Sequence, residues 1–95
     1  MAEGPRLVIV GATKPVLNYV TACITVFNEG SEELLLRARG EAINVAVEVV
    51  QLLRRRFMDD VQISNVEIDG EIITARDGRR LNLPVLEITL SKIRK

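Results

Sequence analysis

The sequence predicts an α+β fold. The expected form is a β-α-β-α-β-β two-layer sandwich, with a mixed four-stranded sheet, two helices on one face and a long hairpin arm from the last two strands. Three observations predict it. Two short apolar runs, Arg6-Leu7-Val8-Ile9-Val10 and Leu34-Leu35-Leu36, each end in a Gly-containing junction and open onto an amphipathic segment. Those segments repeat apolar residues at three- and four-residue steps, the period of a helix packed on one side. The last third alternates apolar and polar residues around Asp77-Gly78, a hairpin turn signal. Two helices on one face of the sheet is the natural packing for this order.

Each element has its own signature. Met1 to Pro5 is a short polar lead-in, expected to fray, and residues 6–95 are expected to form a single domain. The first strand has consecutive apolar residues, which predicts a central strand covered on both faces. Gly11 to Thr13 is a loop; Thr13 suits a helix cap and Pro15 a first turn. The first helix runs to about Asn28 on a stripe of Val16, Tyr19, Val20, Cys23, Ile24 and Phe27, and Gly30 suits its C-terminal cap. The second strand runs from Leu34 into Arg37 and Arg39, and Gly40 breaks it. The second helix is expected from about Glu41 to Met58, with Ala42, Ala46, Val49 or Val50, Leu53 and Phe57 on one face. Ile43 and Val47 widen that face, and Val45 and Leu52 lie nearly opposite. A surface this broad implies a partner on more than one side. In the hairpin, Val61 and Ile63 and then Val66 and Ile68 alternate, but the parity slips at Ser64-Asn65, which predicts a bulge. Pro84 suits an edge or the base of the arm.

Composition narrows the function. The 95 residues carry 13 basic and 13 acidic side chains, so the formal charge is zero. That excludes strongly basic chromatin proteins and polybasic tails; binding to a polyanion must come from clustering. Only Tyr19, Phe27 and Phe57 are aromatic, so the core is aliphatic, and the apolar content of so short a chain argues for an oligomer. There is no His and one Cys, Cys23, which removes Ser-His-Asp and Cys-His catalysis, most zinc sites and internal disulfides. Cys23 sits in a helical apolar pattern and reads as a buried small hydrophobe in a cytosolic chain. No membrane span is expected, and no cofactor, metal or small-molecule substrate. Asp59-Asp60 offers too few ligands for a hard cation, and no carboxylate pair has a supporting base or nucleophile, so an enzyme is not expected.

The basic clusters carry the functional signal. Lys14 stands beside Gly11 at a helix start, where free backbone N–H groups and the helix dipole favour phosphate; the alternative is a solvated loop lysine. Alternation puts Arg37 and Arg39 on one face beside the next helix, able to fork onto phosphate oxygens. The competing reading ties them to Glu32, Glu33 or Glu41. Arg76, Arg79 and Arg80 surround the hairpin tip and suit a groove probe, since a β-ribbon fits a DNA groove and Arg favours a narrow minor groove. The alternative there is an arm kept soluble by charge. Arg54-Arg55-Arg56 span most of a helical turn and cannot all face one partner; placement near a helix C-terminus accounts for them.

These residues also carry a resemblance. Gly11 through Val20, with Lys14-Pro15-Val16-Leu17-Asn18-Tyr19-Val20, resembles the first signature of the Alba family of archaeal chromatin proteins. Arg37-Ala38-Arg39-Gly40 with Ala42-Ile43 resembles the second. Arg56-Phe57 before an acidic loop, and Asp77-Gly78-Arg79-Arg80 before the last strand, extend the match over nearly the whole chain. The resemblance implies a dimer that binds double-stranded DNA, and often RNA, with little sequence preference, in the cytoplasm on the chromosome or nucleoid. The body would cross the duplex while two arms reach toward the minor groove. By position, Lys14 would contact phosphate near the dimer centre, with Thr13 and Asn18 in the same loop signature. Arg37 and Arg39 would line the body, and Arg79 and Arg80, with Arg76, the arms. Phe57 matches a position used between neighbouring dimers, although its bare pattern reads as a core aromatic at a helix end.

Three departures stand out. The family commonly has two adjacent lysines before the proline, the first open to acetylation; here Thr13 precedes a single Lys14. Glu41 replaces an Arg often found after Arg-Gly, and the overall charge is balanced. Together these resemble a divergent second Alba paralogue, with weaker or differently packed DNA coating, working as a homodimer or with a more basic Alba chain. RNA binding, in RNA stabilisation or an RNA-processing particle, is the alternative.

Overall fold

The computed structural model describes residues 6–93; the lead-in expected at 1–5 and the basic residues Arg94 and Lys95 lie outside the described residues. The elements are β1 (Arg6–Val10), α1 (Val16–Asn28), β2 (Glu33–Arg39), α2 (Ala42–Leu52), a π-helical turn (Leu53–Phe57), β3 (Val61–Thr74) and β4 (Arg80–Lys92). The sheet order is β1-β2-β4-β3: β1 runs parallel to β2, and β4 pairs antiparallel with both β2 and β3. This is the mixed α+β sandwich that the sequence predicts.

The core forms between the helices and one sheet face. Val20, Cys23, Val26 and Phe27 of α1 and Ala42, Ala46, Val49 and Val50 of α2 meet Val10, Leu34, Leu36, Ala38, Ile88 and Leu90. Truncating a fully buried leucine such as Leu36 should cost about 2–5 kcal/mol through lost transfer energy and a residual cavity. Burial also pushes the Cys23 thiol up from about 9 to about 12, so the buried sulfur stays protonated and inert.

Strand β1 departs from expectation. It is an edge strand, and while Val10 is buried, Leu7 and Ile9 are 51% and 69% exposed. An unbroken apolar run reports what both faces of a strand are made of; it does not report whether the second face is covered.

Helix α1 starts differently from its sequence signature. Pro15, with ψ 148°, is the capping residue and no side chain caps the helix, so Thr13 is not the cap. The junction is instead fixed by Tyr19, whose hydroxyl oxygen accepts the Gly11 N–H at 3.0 Å. At the other end Gly30 takes φ 102°, with its N–H on the Phe27 carbonyl and the Ser31 N–H on that of Val26. This pattern terminates a helix with a left-handed residue.

The second helix does not run evenly to Met58. After Leu52 it widens to i→i−5 bonding, with Met58 N–H on the Leu53 carbonyl at 2.8 Å. The extra residue in this turn rotates the residues beyond it to a different facing. Leu53 stays fully buried but Phe57 is 53% exposed, so the core reading of Phe57 is wrong. Arg54 Nε donates to the Val61 carbonyl at 2.9 Å and ties the turn to the start of β3.

In the hairpin, Ile63 opposes Leu90 and Asn65 opposes Thr89, leaving Ser64 as the bulged residue where the parity slips. Its hydroxyl bonds the Thr89 carbonyl and the Ser91 hydroxyl. The pairing of β2 with β4 stops at Arg39 opposite Val85, so Gly70–Thr74 and Arg80–Pro84 continue past the body as an arm. Pro84 sits at its base and accepts the Gly40 N–H at 2.9 Å. At the tip the Gly78 N–H bonds the Ala75 carbonyl, and Gly78 has φ 87°, the left-handed position of such a loop.

Candidate nucleic-acid interface

The sheet face away from the helices holds the body part of the site. Register places Leu7 and Ile9 beside Leu35 and Arg37, Arg37 beside Glu87, and Arg39 beside Val85. Arg37 and Arg39 therefore share this open face, because side chains two apart in a strand point the same way. Both end beside the two strand-to-helix junctions. A cleft of about 630 Å³ there is lined by Leu7, Ile9, Gly11, Ala12, Arg37, Arg39, Gly40, Glu41, Glu71 and Leu83, among others.

The arginines are not bare. Arg39 Nη1 lies 3.2 Å from Glu71 Oε2, and Arg37 Nη2 lies 4.0 Å from that same oxygen. Arg37 Nη1 is 3.4 Å from Glu87 Oε2. The carboxylates thus come from the hairpin, and not from Glu32, Glu33 or Glu41, the acids nearest in sequence. Sequence reasoning missed Glu71 and Glu87 because only the strand register brings them to β2. Glu87 alternates with the apolar Leu86 and Ile88, which hints at its face though not at its neighbour.

Lys14 is exposed and lies outside this cleft. With Asn18, Tyr19 and Thr21 it lines a neighbouring shallow depression, and Ile9 borders both. Thr13 is exposed in the same junction. The structure therefore brings Lys14 and Asn18 together, and Arg37 and Arg39 together, as adjacent patches.

Arg76, Arg79 and Arg80 are all exposed around the arm tip. Asp77 engages Arg79 twice: Oδ1 accepts the Arg79 N–H at 3.1 Å and Oδ2 the Nε at 2.7 Å. Among the described residues Arg76 and Arg80 have no ion pair. Phe57 lies elsewhere, in a depression of about 500 Å³ with Met58, Asp59, Asp60, Lys92 and Ile93, where Lys92 Nζ meets Asp60 Oδ2 at 2.8 Å. Among the described residues no group of three or more metal-type ligands forms, and no helix is long and apolar enough to cross a membrane.

A second feature is apolar. Val66, Ile68 and Ile72 oppose Ile88, Leu86 and Asn82, so they stand on the helix side of the sheet, yet they are exposed, Ile68 at 82%. Val47 of α2 is exposed as well. Val66, Ile68 and Ile72 thus leave an exposed apolar strip along β3.

Known proteins resemble this chain in sequence and in fold. Residues 7–69 match the family model described as Alba. The chain is 41% identical over 87 residues to the DNA/RNA-binding protein Alba of Methanocella arvoryzae, covering 92% of this chain and 91% of that one. Among solved structures it resembles Alba from Thermoplasma volcanium, with a TM-score of 0.86 and 34% identity over 92% of this chain and all of the other. ALBA1 from Trypanosoma brucei shares the fold at a TM-score of 0.75 and 22% identity, covering 97% of this chain and 73% of its own.

Proposed function

Since the chain belongs to the Alba family, we propose that it is a nucleic-acid-binding protein that coats double-stranded DNA without sequence preference, as a dimer and without catalysing a reaction. The observation that carries this reading is the arrangement of the arginines. Arg37 and Arg39 lie on one open face at the two strand-to-helix junctions, and Arg76, Arg79 and Arg80 stand at the end of an arm projecting beyond that body. Guanidinium groups fork onto phosphate oxygens, and a two-stranded ribbon fits a groove. The body would sit on phosphates while the arms reach toward the minor groove. Lys14, with Thr13 and Asn18, would add contacts from the adjacent junction. The exposed strip of Val66, Ile68 and Ile72 supports a dimer, formed with a second copy or with another Alba chain. Chromosome association in the cytoplasm follows from this role, and Phe57 would serve contacts between neighbouring dimers.

RNA is the second reading, because the Methanocella relative is named for both nucleic acids. With Phe57 the one largely exposed aromatic side chain among the described residues, recognition of RNA would use backbone and helix shape more than base stacking. The test is fluorescence anisotropy of a labelled random-sequence DNA duplex and a matched RNA duplex across a salt series. DNA binding that is indifferent to sequence and falls steeply with salt, by counterion release, is expected. Equal or tighter binding to RNA would move the function toward RNA, and a flat salt response would remove the phosphate mechanism.

A further inference from the structure

We propose that Glu71 is a built-in competitor for phosphate: its carboxylate occupies the arginine pair of the body, and nucleic acid must displace it to bind. The inference rests on the open face being the nucleic-acid surface, and goes beyond it by assigning an affinity-setting role to an acidic residue.

The geometry points to Glu71 in particular. A single oxygen, Oε2, lies within 3.2 Å of Arg39 Nη1 and 4.0 Å of Arg37 Nη2, bridging both guanidinium groups. Carboxylate and phosphate oxygens are recognised by the same planar fork, so a bridging carboxylate stands where a phosphate oxygen would. Glu87 reaches Arg37 alone. The four side chains sum to zero charge, which leaves the body arginines little net field for a polyanion while the pairs are closed. The Glu71 side chain is 38% exposed, so water and ligand reach it and exchange is possible.

Its position adds a mechanical consequence. Glu71 opposes Leu83, two residues past the Arg39–Val85 pair where β2 ends, so it belongs to the root of the arm. The contact therefore latches arm to body. A phosphate that takes Arg37 and Arg39 releases the latch at the moment the arm is needed in the groove. The exchange swaps an internal counterion for the ligand, so fewer ions are released to solution than the number of arginines engaged would suggest.

The test compares wild type, Glu71→Gln and Glu67→Gln by anisotropy on a random DNA duplex of about 25 base pairs across a salt series. Glu67 lies on the same face of β3 and among the described residues has no ion pair, while each substitution removes one negative charge. Glu71→Gln should bind about tenfold tighter at physiological salt, with a log–log salt slope steeper by about one; Glu67→Gln should shift affinity about twofold and leave the slope. Glu71→Asp keeps the charge but withdraws the carboxylate, and should fall between wild type and Glu71→Gln. Equal behaviour of Glu71→Gln and Glu67→Gln, with wild type binding normally, overturns the competitor role alone. Failure of all three to bind either this duplex or its RNA counterpart at low salt overturns the nucleic-acid reading and this proposal with it. Binding by Glu71→Gln where wild type shows none supports it in its strongest form.

Discussion

The body and the arm tip both present arginines, but their counter-charges come from different distances along the chain. Arg37 and Arg39 are held by Glu71 and Glu87, which reach them only through the sheet. Arg79 is held by Asp77, two residues away, in the turn that this pair helps to fix. The body pairs are therefore a property of the assembled fold, and the tip pair is a property of a local turn. Arg76 and Arg80 face solvent without an ion pair among the described residues. One region is latched through the sheet, and the other leaves two of its three arginines to solvent.

The largest expected effect tests the latched region. Arg37→Ala with Arg39→Ala should weaken duplex binding about a hundredfold, from two lost charge-assisted contacts at about 1.5 kcal/mol or more each. The same change strands Glu71 and Glu87 as uncompensated negative charge on the open sheet face. Adding Glu71→Gln and Glu87→Gln to that variant should recover about tenfold by anisotropy. No recovery would mean the carboxylates do not act on the ligand. Next, Arg79→Ala with Arg80→Ala should cost about tenfold and make the salt slope shallower by about one to two, with an unchanged circular dichroism spectrum. Equal losses in body and tip would erase the contrast between them. Glu41→Arg places a cation in the cleft at the start of α2, and should tighten binding about threefold in the same assay, at a cost of about 0.3–1 kcal/mol against the helix dipole. Phe57→Ala is the smallest: thermal unfolding should show a change within about 0.5 kcal/mol, because the ring is largely exposed. A cooperative step in titrations of long DNA should flatten in that variant, and a large stability loss would return Phe57 to the core.

How far the sequence spoke depends on how local each cause is. The bulge at Ser64 was legible because a parity slip is a purely local sign. So were Gly30 and Gly78, whose left-handed backbones follow from their immediate neighbours. The exposure of Phe57 was not legible: one extra residue in a π-helical turn shifts the facing of everything after it, and no residue type announces that turn. The edge position of β1 was hidden for a similar reason, since strand order is set by pairing far along the chain. Within the candidate site, the shared face of Arg37 and Arg39 came from alternation alone. Their partners did not, because the register that sets Glu87 beside Arg37 and Glu71 within reach spans dozens of residues. Thr13 had the chemistry of a cap, but the extended Pro15 stands between it and the helix.

The Ser64 bulge has a consequence for how such an arm can change over generations. Removing or adding one residue anywhere else in β3 would turn every side chain beyond it to the opposite face. At Ser64 the ladder already carries one residue more than its partner strand, so deletion there would restore plain pairing and leave Ile63 opposite Leu90 and Asn65 opposite Thr89. The arm beyond that point is therefore an exchangeable cassette. Its pattern can be rewritten or transplanted from a relative whose strand keeps a different count, while the body retains its own.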